Sequence, residues 1–518
     1  MKAKSLLYTF ALAACLSACV EDEGSYDIHP INEIEIKGLE ESYSKIAFSE
    51  SLSIKPEVNL TDKGVNESDL EYQWIISNNN VGAEQHHTVI GTEKNLEYKV
   101  EVPPGTYELI LQVYDKTTGL KWEGTAELRT VSPMVRGFYL FGDKEDGTCG
   151  IDFVSMMDKR DTMVVADIFT NSAKIKGAQD LIFTGTNYQK PGIRLWAVSE
   201  SGTYSLEFGA DLGKIDIEED VNPDKLFFPS IPVTRPLVIK NVYPQTMGAG
   251  NMSLSKSARI TITENEMFAC SMYEPEAYGN PLNRYSAQGK DLFKFCPYLI
   301  YQGNSARPNN IFFYDETNHR FAGLNSGYAY ATNAVELQDS EKPFYFDQTK
   351  YEPVREMIYG ENGRGNAGRS YVLMRDANND YFIYGMAAGW GLSKKFAYSV
   401  DKSVATDFDK ASHYTFFSEQ TIVLYSVGSQ LWAYDYQRNN AKMIKDFGAE
   451  ITFLHMDEHS GNMTTDFVVA TYSNSEKGIV SKFTLADDQN EIKVTPHEKE
   501  VWKTNLRVVK VEYKNCPH

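Results

Sequence analysis

Three stretches of the chain place residues at spacings that catalytic or ligand sites use. Gly363-Arg364-Gly365-Asn366-Ala367-Gly368 has the G-x-G-x-x-G spacing of a dinucleotide turn, which meets a pyrophosphate only when a helix N-terminus follows it. Here Arg369-Ser370-Tyr371-Val372-Leu373 follows and reads as a strand, so a flexible loop is expected and no cofactor. Asp376-Ala377-Asn378-Asn379-Asp380 opens like a calcium loop, but Tyr381 stands where the sharp turn needs Gly and no Glu comes at loop position twelve. A hairpin turn is expected instead. His455 and His459 are four apart, as on one face of a zinc-binding helix, yet Ile451-Thr452-Phe453-Leu454 reads as a strand entering a turn, so no metal is expected. H-E-x-x-H, G-x-S-x-G and P-loop patterns are absent, and His86-His87 lies in a polar loop with no assigned role. Among 71 carboxylates a glycosidase pair is defined by separation in space, so no catalytic residue is assigned. Binding is expected ahead of catalysis.

Aromatic side chains in loops are the more useful lead. Gly389-Trp390-Gly391 sets an indole between glycines, and Tyr328 and Tyr330 follow Asn325-Ser326 in Gly327-Tyr328-Ala329-Tyr330. Flat rings at such positions stack on sugar rings or hold peptide side chains. The alternative for each is packing between sheets.

These loops need a scaffold, and the pattern around them is one of strands. From residue 31 to 132, Ile34 and Ile36, then Leu52 and Ile54, then Leu70, Tyr72 and Trp74, then Tyr107, Leu109, Leu111 and Val113 alternate with polar residues. Period-two alternation broken by turns such as Pro103-Pro104-Gly105 predicts an antiparallel sandwich with Trp74 in its core. Residues 133–518 continue in the same way without an amphipathic helix: Phe138–Phe141, Ile193–Val198, Ala258–Ile262, Ile311–Tyr314, Tyr371–Met374, Tyr381–Tyr384, Leu431–Tyr434 and Phe467–Tyr472 all read as strands. Ile311–Asp315 and Leu431–Asp435 look alike, each closing on Tyr-Asp before a polar turn. Multi-stranded units of about 54 residues predict a β-propeller of about seven blades between Arg136 and Tyr513, with six or eight, paired sandwiches or a β-helix as the other all-β solutions.

The chain has 518 residues, with 51 Lys+Arg against 71 Asp+Glu and a net charge of −20. That excess repels a phosphate backbone, so no nucleic acid is expected as partner. Residues 1–18 read as a cleaved signal: Lys2 and Lys4, an apolar run from Leu6 to Ala14 too short to span a bilayer, and small residues before Cys19. Leu16-Ser17-Ala18-Cys19 resembles the bacterial lipoprotein signal, which implies that Cys19 becomes the first residue and carries lipid that anchors it in the outer membrane. Val20-Glu21-Asp22-Glu23, in the tether of residues 19–30, resembles the surface-export signal of Bacteroidetes lipoproteins, which implies an outward-facing protein. Cleavage leaves 49 basic residues against 71 acidic ones, a net of −22. Cys149, Cys270, Cys296 and Cys516 then remain, too few for a disulfide framework, and are expected as buried small hydrophobes.

Tyr72-x-Trp74, Gly105-Thr106-Tyr107 and Val113-Tyr114-Asp115 resemble PKD-type immunoglobulin-like domains, without the antibody-type disulfide. Together with the lipobox and the Tyr-rich β domain, they make the chain similar to the PKD-like lipoproteins of Bacteroidetes. The resemblance implies an accessory subunit of a SusC/SusD-type importer that captures or presents a glycan or oligopeptide. A propeller hydrolase with carboxylates, Tyr or His converging in the channel, and a structural or adhesive subunit, are the readings from other classes.

Overall fold

A computed structural model describes residues 33–514 apart from 62–65, 79–86, 135, 158–160, 186–193, 209–213, 244–258, 271–276, 306–307, 458–461, 463 and 487–490. The lipobox, Cys19, the acidic tether, His86, His459 and Cys516 lie outside the described residues. The chain divides near Thr130 into two compact units. Among the described residues the regular structure consists of strands and short 3-10 turns.

The first unit is a sandwich. A five-stranded sheet runs in the order Ser42–Ile46, Lys121–Val131, Gly105–Asp115, Leu70–Ser77, His87–Gly91. Two antiparallel pairs accompany it, Ile34–Lys37 with Glu57–Leu60 and Ser51–Ile54 with Leu96–Lys99. Successive strand side chains point to opposite faces, so Tyr107, Leu109, Leu111 and Val113 are buried while Glu108, Ile110, Gln112 and Tyr114 are more open to solvent. Trp74 is fully buried, and its one donor, Nε1, reaches the Glu93 carbonyl at 3.0 Å, which removes the cost of burying the indole N–H. At Gly124 a Cβ would stand 2.7 Å from Leu39 Cδ1, so glycine lets the layers approach.

The second unit is a propeller with seven sheets among the described residues. Blade 1 places Arg507–Lys514 beside Gly137–Asp143, Cys149–Ser155 and Met163–Val165. Blade 2 runs Ala178–Gly185, Arg194–Ser199, Gly202–Phe208, Ile215–Ile217, and blade 3 runs Asn241–Tyr243, Arg259–Ile262, Met267–Cys270. In blade 4, Phe295 and Ile300 bridge antiparallel to Phe312–Asp315, which is followed by Arg320–Leu324 and Ala334–Glu336. Blade 5 runs Arg355–Asn362, Ser370–Asp376, Tyr381–Ala388, Leu392–Ser399; blade 6 runs His413–Phe417, Ile422–Val427, Gln430–Asp435, Asn440–Asp446. Blade 7 runs Glu450–Met456, Asp466–Ser473, Lys477–Leu485, Val494–Thr504.

Blade 1 is built from both ends of the unit, since Gly137 pairs with Lys514 and Asp143 with Arg507. Arg507–Lys514 thereby closes the ring and covers the edge of Gly137–Asp143 that would otherwise be open to another chain. Neighbouring first strands are joined by hydrogen bonds. Tyr243 Oη donates to the Pro297 carbonyl at 3.2 Å, Asn362 Nδ2 to Leu299 O at 2.9 Å, Thr415 Oγ1 to Glu361 Oε1 at 2.9 Å, and Met456 N to Thr415 Oγ1 at 3.1 Å. Between the blades the core is aromatic, as where Tyr371 stacks on Phe416 at 5.0 Å.

The likeness of Ile311–Asp315 to Leu431–Asp435 comes from turn chemistry and does not mark equivalent strands. The first is the second strand of blade 4 and the other the third of blade 6. Each closing Asp is buried and accepts backbone N–H groups of its turn: Asp315 from Asn318 at 3.0 Å, Asp435 from Gln437 at 3.1 Å. Four residues beyond each Asp the chain enters the left-handed region, at His319 (φ 51) and Asn439 (φ 53). Asp115, with Gly119 at φ 72, repeats the device in the sandwich.

Candidate functional site

Blades 4 and 5 each run through four antiparallel strands, which returns the chain to the same end of the ring, so their first strands run the same way. Hairpins joining first to second and third to fourth strands therefore share one face. Trp390 lies in the third-to-fourth hairpin of blade 5, 79% exposed, and Tyr330 in the corresponding connection of blade 4, 68% exposed. The two rings thus stand on one face of adjacent blades.

Tyr328 departs from the expectation of an exposed loop ring. It is only 5% exposed and packs with Leu282, Phe293, Phe313 and Leu324. The cause is local: Tyr328–Tyr330 form a 3-10 turn, in which residues two apart point in different directions, so only one Tyr of the pair meets solvent.

The Gly363–Gly368 loop lies on the same face as Trp390, joining the first two strands of blade 5. Its polar groups are taken by neighbouring blades, Arg364 Nη1 by the Gly303 carbonyl at 2.7 Å and Gly365 N by Ser418 Oγ at 2.9 Å. With a strand after it, the loop locks blades 4, 5 and 6 together and offers no phosphate cradle. Asp376–Asp380 is a hairpin turn, with Asn378 N and Asp380 N donating to Asp376 Oδ1 at 2.9 and 3.0 Å. His455 sits on the first strand of blade 7. Among the described residues no group of three His, Cys, Asp or Glu is placed to hold a metal ion. Cys149, Cys270 and Cys296 are buried and stand outside any disulfide, and burial pushes the Cys149 and Cys296 thiols up to about 12.

The structure also assembles a cluster that the sequence did not announce. Asp180 on the first strand of blade 2, Lys510 and Glu512 on the closing strand, and His455 on blade 7 come together along the inner strands. Lys510 Nζ is 3.0 Å from Asp180 Oδ1 and 3.7 Å from Glu512 Oε2. Burial opposes the charge on Lys510, but the two carboxylates outweigh it and hold the ammonium above its ordinary value. Glu512 is pushed up to about 7, first by burial and then by the charge of Asp180, with Lys510 offsetting only part of this. A cavity of about 60 Å³ opens beside it, lined by His455, Asp457, Lys510, Glu512, Phe453 and Tyr513 among others. A signal for it exists in Val509-Lys510-Val511-Glu512-Tyr513: two charges share one face of a strand whose other face, through Val511 and Tyr513, is core.

Comparison with known proteins adds a family likeness. The PKD-like family model matches residues 19–179. The matched stretch covers the sandwich and the three N-terminal strands of blade 1, and most of the propeller lies outside it. No curated protein matches the chain. Among solved structures it is similar to a quinonprotein alcohol dehydrogenase-like protein of Bacteroides thetaiotaomicron VPI-5482, at 13% identity and TM-score 0.38, covering 91% of this chain and 96% of that one. A DUF4784 family protein of Bacteroides caccae ATCC 43185 aligns at 11% identity and TM-score 0.27, over 93% and 98% of the two chains. The WD40 domain of SCAP from fission yeast aligns at 7% identity and TM-score 0.30, over 65% and 73%.

Proposed function

We propose that this chain is a surface-exposed outer-membrane lipoprotein that binds or presents a polymeric nutrient, a glycan or an oligopeptide, as an accessory subunit of a SusC/SusD-type uptake system. The observation that carries the binding role is the pair of exposed rings, Trp390 and Tyr330, on one face of adjacent blades. Apolar rings left in water on a rigid scaffold lose little entropy when a ligand covers them. The lipid-anchored reading of the N-terminus rests on the lipobox-like Leu16-Ser17-Ala18-Cys19. A polymer suits a site of separated contacts better than a closed pocket does. The channel cavity of about 60 Å³ is far smaller than the roughly 300–1,000 Å³ of ordinary ligand pockets, and this disfavours polymer cleavage there.

Two measurements test the proposal. Trp390→Ala and Tyr330→Ala are each expected to weaken retention on the polymer by roughly two- to tenfold, the worth of one stacked ring. Binding that is indifferent to both changes defeats the role given to this face. Pull-down from detergent-solubilised outer membrane is expected to bring a SusC/SusD-like pair, and its consistent absence defeats the importer role.

A further inference from the structure

Charge is divided unequally between the two faces of blades 4 and 5. The connections on the Trp390 face, residues 301–311, 325–333, 363–369 and 389–391, contain no Asp or Glu, although 71 of the 518 residues are acidic. Those on the opposite face, residues 316–319, 337–354, 377–380 and 400–412, contain nine. Strands of 7 and 8 residues in blade 5 separate the faces by far more than the Debye length of about 8 Å at physiological salt. The net charge of −20 therefore does not set the potential at the Trp390 face.

On this acid-free rim the fold places a guanidinium without a counter-ion. Arg369 is half-buried, its Cζ 5.5 Å from the centroid of Phe396, which in turn lies 5.8 Å from Tyr436 of blade 6. Its Nε is shut off from water with no hydrogen-bond partner, and among the described residues no carboxylate pairs with the side chain. Glu419, in the first hairpin of blade 6, lies against Gly365 instead. A cation partly stripped of water and left unpaired is costly, and an anion at Nη1 and Nη2 would lift that cost. Arg369 adjoins Ser370, whose partner Met386 stands two residues before the pair Ala388 and Leu392 that closes the Trp390 hairpin. Guanidinium and indole thus share the rim of one blade. Asn304, exposed beside Gly368, accepts from Gln302 Nε2 at 3.1 Å through Oδ1, which leaves its own amide hydrogens to solvent.

We propose that the Trp390 face takes a polysaccharide that carries carboxylates, with the indole against a sugar ring and the Arg369 fork receiving a uronate carboxylate. A uronic acid unit brings an apolar ring face, hydroxyls and a carboxylate together, which matches an aromatic ring, a free amide and an unpaired guanidinium. An acidic peptide offers the carboxylate without the flat ring. The assignment rests on the polymer-binding reading of this face and names the class of polymer.

The test is affinity electrophoresis of the full chain in gels containing polygalacturonate or alginate, their carboxyl-reduced counterparts, or poly-L-glutamate. Retardation by at least one polyuronate is expected, at least about tenfold stronger than by its reduced form or by poly-L-glutamate, the worth of one charge-assisted hydrogen bond. Arg369→Gln is expected to lower polyuronate affinity about tenfold, and Arg369→Lys, which keeps the charge and loses the fork, by less. Equal retardation by a polyuronate and its reduced form, lost in Trp390→Ala, overturns the carboxylate assignment and leaves the polymer-binding role standing. Retardation by poly-L-glutamate as strong as by a polyuronate overturns the choice of a glycan. Retardation by none of these polymers overturns the assignment and removes support from the polymer-binding role as well. The comparison of each polyuronate with its reduced form needs no variant.

Discussion

Glu512→Gln separates the cost of a buried charge from every other pH effect in the molecule. The carboxyl has an ordinary value of 4.5 and is pushed up to about 7 in the fold. Below 4.5 it is protonated in folded and unfolded chains alike and contributes nothing to the difference. Between the two values the folded chain keeps a proton that the unfolded chain has released, so stability falls as the pH rises. Above 7 the full penalty stands. Each pH step across that window is worth about 1.4 kcal/mol, so the loss amounts to about 3 kcal/mol. Glutamine has nearly the same shape and never ionises. Urea midpoints of the propeller transition, measured for both proteins from about pH 4.5 to 8.5, give a difference in which the other carboxylates cancel. The unaltered protein is expected to lose ground to the variant steadily across this range. A difference that stays flat, or that turns in favour of the unaltered protein as the pH rises, would refute burial as the controlling factor.

Other consequences are equally direct. Lys394 Nζ sits 2.7 Å from Asp339 Oδ1 and donates to the carbonyls of Ser340 and Phe344, both at 2.6 Å. Lys394→Met strands these acceptors and is expected to destabilise blade 5 by about 3 kcal/mol, read as a lower denaturation midpoint; an unchanged midpoint tells against the anchor. Cys149 and Cys296 are expected to resist alkylation at pH 8 until the chain is unfolded, and prompt labelling of either, mapped by peptide mass, contradicts their burial. Removing Arg507–Lys514 is expected to abolish amide protection in blades 2 and 7 as well as blade 1. If protection persists in those neighbours, ring closure is not what holds them.

Much of the fold was legible because each strand writes its own signature. Tyr107, Leu109, Leu111 and Val113 alternate in sequence and are buried together, and the length available per blade predicted about seven blades, with six or eight left open, where seven sheets are described. The exposed Trp390 was legible from its flanking glycines. Tyr328 was not, since two tyrosines in one loop look equivalent until the pitch of a 3-10 turn sends one inward. The channel cluster was hidden for another reason. Asp180 and Lys510 lie at opposite ends of the propeller sequence, and only closure of the ring brings them to 3.0 Å. Pairing across such a separation is a property of topology, which local patterns do not record.

The closing strand also sets the order in which the molecule can be made. While the chain is being synthesised, Gly137–Asp143 has one neighbour, Cys149–Ser155, and awaits a partner that appears only after blades 2 to 7. Until Arg507–Lys514 arrives, the unfinished ring is an arc with a raw hydrogen-bonding edge at its beginning, the kind of edge another unfinished copy could pair with. The time between the appearance of these two strands is thus an interval in which that edge is open to such pairing.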